Sequence, residues 1–179
     1  SRRRHTRYIS VTGVQTCALP ISIVIVLHMP PGYTEAYAAK LDEVSALRVK
    51  EASQGAELEP GLVLIAQAGR HLTFRRDGGR IICHLDLRPL DTLHRPAADV
   101  LFRSAAEIFG ARTLGVVMTG MGSDGRDGAA WIKAKGGRIL TEGETSCVVY
   151  GMPRAVVEAG LSDAAFPLEA LAAAILEEV

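Results

Sequence analysis

The sequence predicts an α/β fold: a doubly wound, mostly parallel sheet with helices on both faces and one antiparallel β-hairpin. Three observations predict it. Short unbroken runs of aliphatic residues, above all ISIVIVL at 21–27, have the length and β-branched character of strands buried on both faces. These runs alternate with longer segments that are apolar along one side, the pattern of helices laid on a sheet. Only 5 % of the residues are aromatic while 48 % are hydrophobic, so Ala, Val, Ile and Leu must build the core. At 179 residues the chain is long enough for one well-filled domain and short for two.

Taken in order, the strand at 21–27 stops at His28-Met29-Pro30-Pro31-Gly32, where two prolines and a glycine force a turn. Thr34 is the expected N-cap of a helix through about Val44, with Tyr37, Leu41 and Val44 on its apolar face. Leu62 to Ala66 reads as a second strand. His71–Arg75 and Arg80–Leu85 flank Asp77-Gly78-Gly79, a hairpin with a short glycine turn. A helix starts near Pro96 and runs to about Phe109, with Val100, Leu101, Ala105 and Ile108 facing inward. Leu114 to Met118 is a further buried strand. The glycine loop Gly120–Gly125 leads to a helix around Gly128–Lys135, which Gly136-Gly137 ends. Arg138–Thr141 is a strand, and short helices near Arg154–Ala159 and Leu168–Glu178 close the chain. The sum is a three-layer, Rossmann-like arrangement.

Formal net charge is +0, which argues against nucleic acid or an anionic membrane surface as the main partner. The charge is unevenly placed. Residues 1–22 contain Arg2, Arg3, Arg4 and Arg7 and no acid; removing those four from the 20 basic residues leaves 16 against 20 acidic ones, a net of −4. Residues 1–20 are therefore set apart as a foreign segment, artefactual or disordered, and 21–179 as the domain. Gly13, Gln15 and Pro20 break any long amphipathic helix of the transit-peptide kind there. The chain begins with Ser, as a fragment does. Cys17, Cys83 and Cys147 are odd in number and widely spaced, so a disulfide framework is not expected and a cytoplasmic location is. No His/Cys spacing suits a metal, no cofactor is expected, and no apolar run approaches the ~20 residues of a membrane helix.

In open α/β sheets the ligand site lies beyond the carboxyl ends of the strands. Two reactive side chains leave such ends: His28 after the first strand and Asp124 after Leu114–Met118. Together they make a candidate base–orienter pair, the carboxylate fixing the imidazole tautomer and stabilising the imidazolium. Each also has a plain reading, His28 as a turn residue and Asp124 as an N-cap for the following helix. Gly120-Met121-Gly122-Ser123-Asp124-Gly125 spells GxGxxG, with Glu142 some way on, so dinucleotide binding is an alternative; Asp124 would put a carboxylate where a pyrophosphate must lie. Ser123 lacks GxSxG flanks and reads as a loop hydroxyl bonding backbone. Ser104 and Ser146 have no stronger claim, and Cys147 reads as a small buried residue. His71 and His84 belong to the hairpin, and His94 heads His94-Arg95-Pro96, a charged turn before a helix that could line a cleft and contact an acidic substrate, a solvated helix entry being the plainer reading.

Six stretches, in order, resemble one known family. His28–Thr34 (HMPPGYT), Val49–Ala52 (VKEA), Gly69–Leu72 (GRHL), His94–Ser104 (HRPAADVLFRS), Thr119–Gly125 (TGMGSDG) and Ser146–Arg154 (SCVVYGMPR) are similar to motifs of the CheB-type protein-glutamate methylesterases. The resemblance runs from about Ile21 to the C-terminus. It implies a serine hydrolase that cleaves γ-glutamyl methyl esters on cytoplasmic helices of methyl-accepting chemotaxis receptors, with glutamine deamidation in many members. It implies His28 as the catalytic histidine, Asp124 as the aspartate, and a pocket walled in part by Met121 and the backbone near Gly120.

One part of the family pattern is missing. The family serine sits in a GASTGG-like loop between an earlier strand and a helix that leads to the His-bearing strand, and no such motif occurs in this sequence. The nearest echo is Ser10-Val11-Thr12-Gly13. Only seven residues separate Gly13 from Ile21, where a parallel crossover needs about a dozen or more. Ser22 lies within the expected strand. The opening RRRHTRYISVTGVQTCALPIS also resembles translated sequencing adapter. The expectations are an esterase domain without its nucleophile, inactive as it stands, lacking its first strand and the receiver domain found in many members. A sheet with an uncovered edge is expected to be marginally stable. A receptor-binding module without catalysis is the other alternative.

Overall fold

The computed structural model describes residues 21–178; the segment set apart above, with Ser10 and Cys17, lies outside the described residues. Three strands form the first parallel sheet: β1 (Ile23–Ile25), β2 (Arg48–Glu51) and β3 (Leu62–Ile65), in the order β1-β3-β2. β3 is central and all four of its residues are buried, as its unbroken LVLI run requires. The β1 strand is shorter than the apolar run that predicts it, and Ser22 precedes it, its hydroxyl donating to the Glu59 carbonyl at 2.9 Å. The β2 strand escapes sequence reading because RVKE carries a single buried apolar residue, Val49.

Helix α1 (Thr34–Val44) has the expected bounds but a different inner face. Thr34 and Ala38 are buried and Leu41 packs behind them, while Tyr37 and Val44 are exposed. Thr34 is not an N-cap. Its hydroxyl donates to Glu51 Oε1 and accepts the Ala68 N–H, tying the helix to β2 and to the end of β3.

The hairpin is β4 (His71–Asp77) and β5 (Arg80–Asp86), antiparallel in register from His71↔Asp86 to Asp77↔Arg80. Gly78 and Gly79 have φ +52° and +89°, the two positive values a two-residue I′ turn demands. Leu72, Phe74, Cys83 and Leu85 of the hairpin cover one face of β3 through Leu62, Leu64 and Ala66, and Leu101 of α2 (Ala98–Phe109) joins them. Val63 and Ile65 point the other way, onto Ala38.

The second parallel sheet is β6 (Leu114–Val117), β7 (Arg138–Glu142) and β8 (Ala164–Phe166), in the order β6-β7-β8. Helices α3 (Arg126–Ala134) and α4 (Met152–Glu158) pack with α2 on one face, around Ala106, Ala129, Ile132, Ile139 and Val156. Helix α5 (Leu168–Glu177) covers the other face through Leu171 and Ala174 against Leu140. Gly136, at φ +81°, ends α3, and the Gly137 N–H returns to the Ile132 carbonyl. The parallel sheets with helices on both faces and one antiparallel hairpin are the α/β fold the sequence predicts. Among the described residues β1 pairs only with β3, and β6 only with β7. No helix among them is long and apolar enough to cross a membrane.

Candidate active site

His28 and Asp124, 96 residues apart in sequence, meet at the carboxyl ends of β1 and β6. His28 Nε2 lies 2.7 Å from Asp124 Oδ2. The histidine side chain is 24 % exposed and the aspartate 7 %, so one face of the pair is open and the carboxylate is sheltered. With Nε2–H given to the carboxylate, Nδ1 is the ring nitrogen left to accept a proton.

Asp124 holds more than His28. Its Oδ2 also accepts the Ala98 N–H at 2.7 Å and its Oδ1 the Asp99 N–H at 2.9 Å. The sequence makes Asp124 an N-cap for the helix that follows it. The structure makes it the cap of α2 instead, reached across the sheet. Burial alone would raise its pKa. The hydrogen bonds from His28 and the two backbone amides, with the charge of His28, outweigh burial and hold the carboxyl below its ordinary value.

Two further residues belong to this site, in contacts the sequence does not reveal. Asp99 caps α3, its Oδ1 accepting the Gly128 N–H at 2.7 Å. Burial pushes its carboxyl pKa up. His94, read as the head of a surface turn, stacks flat on His28. The loop carrying it is held by His71, which is fully buried. His71 Nδ1 accepts the Ala97 N–H, and Nε2 bonds the Pro89 carbonyl and Thr92 Oγ1. The shallow depression lined by Arg88, Pro89, Leu90 and Asp91 lies on this same loop and includes neither His28 nor Asp124 in its lining.

The other candidates have separate places. Ser123 is exposed, and among the described residues its hydroxyl has no partner, so it does not bond backbone as expected; its carbonyl accepts the Arg126 N–H. Ser104 Oγ accepts the Phe74 N–H, and Ser146 donates to Glu142 Oε1. Cys147 is half-buried rather than buried, and desolvation followed by the Glu142 carboxylate raises its thiol pKa, so it is no ready thiolate. Burial pushes the Cys83 thiol up to about 11. Glu142 is 1 % exposed and accepts the Thr119 N–H, which makes it a brace for the β6 loop. Met121 is 78 % exposed, on the loop between β6 and α3.

The family model described as CheB methylesterase matches residues 12–175. The chain belongs to the CheB methylesterase family. The match begins inside the stretch set apart from the domain by its composition. Among relatives, a protein-glutamate methylesterase/protein-glutamine glutaminase 5 of Myxococcus xanthus is 50 % identical over 160 residues, covering 89 % of this chain and 46 % of that protein. A protein-glutamate methylesterase/protein-glutamine glutaminase of Moorella thermoacetica is 49 % identical over 159 residues, covering 88 % of this chain and 38 % of that protein. The chain thus spans less than half the length of these curated relatives. The crystal structure of the Thermotoga maritima CheB methylesterase catalytic domain superposes with a TM-score of 0.87 at 41 % identity, over 89 % of this chain and 85 % of that one. A CheB fold in which the ends of β1 and β6 face one another is therefore the setting of His28 and Asp124.

Proposed function

We propose that the protein to which this chain belongs hydrolyses γ-glutamyl methyl esters on cytoplasmic segments of chemotaxis receptors, with His28 as general base and Asp124 as its orienter. The observation that carries the reading is the 2.7 Å contact between His28 Nε2 and Asp124 Oδ2, at the strand ends where an α/β enzyme keeps its chemistry. A serine hydroxyl attacks the ester carbonyl and passes its proton to His28 Nδ1. The Asp124 carboxylate steadies the imidazolium. His28 then returns the proton to the departing methoxide, which leaves as methanol. Water, deprotonated by the same ring, then attacks the acyl-serine carbonyl; the serine–acyl bond breaks, the ring's proton passes to the serine oxygen, and the glutamate is released. With a glutamine substrate the leaving group is ammonia, so deamidation runs through the same steps.

The serine of that scheme belongs to the GASTGG-like loop of the family, a motif these 179 residues do not contain. Among the described residues no serine or threonine hydroxyl bonds His28. On this reading the chain is inactive as it stands, for want of that serine loop. The extra length of the curated relatives leaves room for a receiver domain in a full-length protein. Methanol release from methylated receptor is the assay. Background rates are expected from this chain; turnover that disappears on His28→Ala would contradict its inactivity while supporting the role of His28.

Dinucleotide binding at Gly120–Gly125 has less support. Asp99 already occupies the Gly128 N–H at the start of α3, and Glu142 is committed to Thr119 and Ser146.

A further inference from the structure

The esterase reading gives no task to the imidazole lying on His28. The rings of His28 and His94 have centroids 3.9 Å apart and planes inclined by 14°, a near-parallel stack. We propose that His94 is a positioning residue that acts through His28, setting the plane of its ring so that Nδ1 faces the substrate side while Nε2 stays on Asp124.

A single hydrogen bond from Nε2 to Asp124 fixes one corner of the ring and leaves it free to rock about that bond. A flat surface stacked on the ring opposes the rocking. It thereby keeps Nε2 in line with Asp124 Oδ2, the contact on which the single tautomer depends. The surface must itself be rigid, and His94 is anchored on both sides. His71 holds Pro89, Thr92 and Ala97 of the same loop. The Arg95 guanidinium donates to the Leu90 carbonyl, and the Arg95 carbonyl accepts the Gly69 N–H at 2.9 Å. From the other side Asp124 holds Ala98 and Asp99, just beyond the loop. The element carrying His94 is thus tied to the residue that orients His28. The inference deepens the esterase reading and rests on it for what His28 does, but the stacking acts on the ring whether or not ester is cleaved.

Nitrogen-15 and proton NMR of the histidine side chains in the full 179-residue chain tests it. In the unsubstituted chain, proton contacts between the His28 and His94 rings are expected, with His28 in one tautomer protonated on Nε2, seen as widely separated ring-nitrogen shifts. In His94→Ala the two shifts are expected to move toward a common averaged value. In His94→Phe, which restores a flat face, the separation is expected to return. His94→Leu keeps bulk without a flat face and is expected to behave as His94→Ala, and it replaces that variant should it not fold. Absent ring–ring contacts, unchanged shifts in the Ala or Leu variant, or loss in the Phe variant equal to that in Ala would each overturn the proposal. A serine-complete protein that releases no methanol, with the ring behaviour as expected, would remove the esterase reading and leave the positioning of His28 intact.

Discussion

Asp99 and Asp124 cap each other's helices: Asp124 Oδ1 accepts the Asp99 N–H at 2.9 Å at the start of α2, and Asp99 Oδ1 accepts the Gly128 N–H at 2.7 Å at the start of α3. Asp124 does not cap the helix that follows it, the one a local reading assigns to it. The exchange locks two loops together where the candidate base is held, so the orientation of Asp124 toward His28 depends on α2 as much as on its own loop. The positive ends of two helix dipoles also favour the carboxylates.

The exchange predicts a graded loss of stability. Asp99→Ala leaves the Gly128 N–H without its acceptor and is expected to cost about 1–2 kcal/mol. Asp99→Asn keeps an acceptor and removes a half-buried carboxylate whose pKa is already raised by desolvation, so it is expected to cost less. Urea unfolding of the two variants should rank them in that order.

Gly128 predicts a steric test of the same contact. A Cβ there would lie 2.6 Å from Phe102 Cβ and 2.9 Å from the Asp99 Cα. Gly128→Ala is therefore expected to push α3 off α2 at a cost of roughly 1–3 kcal/mol, despite the better helix propensity of alanine. A lowered Tm, with the His28 ring shifts disturbed as well, is the expected result. Gly78→Ala, which meets no atom within 4 Å, disturbs only a turn at φ +52° far along the hairpin and should leave those shifts alone.

His71 predicts a pH dependence. Desolvation lowers its pKa, and nearby Arg95 adds to that, against the opposing pull of the Pro89 carbonyl and of Asp124 and Asp86. The folded chain thus binds this proton less readily than the unfolded chain. Its contribution is present above the ordinary histidine value of about 6.5 and is lost as the pH falls below it. Protonation would also cost Nδ1 the Ala97 N–H it accepts. Urea midpoints should fall between about pH 7.5 and 5.5, and His71→Gln should flatten that slope.

Asp124 predicts the acid limb. Its depressed carboxyl contributes stability above the ordinary aspartate value of about 3.9, and that contribution disappears as the pH drops through the lower folded value. Asp124→Ala should remove about 2–3 kcal/mol at neutral pH, since two backbone amides and His28 lose an acceptor together. Its stability should then vary less with pH in the acid range than that of the parent chain.

Much of this is visible in the chain before folding, and the exceptions have physical causes. LVLI, the Asp-Gly-Gly turn and the glycines after α3 announce themselves because burial, turn geometry and helix termination each leave a local mark. RVKE and AAF, which become β2 and β8, leave none: one is charged and the other made mostly of small residues, and partners in the sheet make them strands. Thr34 looks like a cap until Glu51 and Ala68 claim its hydroxyl. His28 and Asp124 can be found because strand ends are where α/β sites lie. The turn of His94 can be offered as a cleft wall, but its stack on a distant imidazole, like the capping exchange of Asp99, exists only after the sheets are assembled.

The most direct measurement is methanol release from methylated receptor by a protein in which residues 21–178 follow a GASTGG-like serine loop. Steady release is expected, falling by at least about a thousandfold on His28→Ala and markedly on Asp124→Asn. Release that continues undiminished in His28→Ala would contradict the assignment of that imidazole as the base.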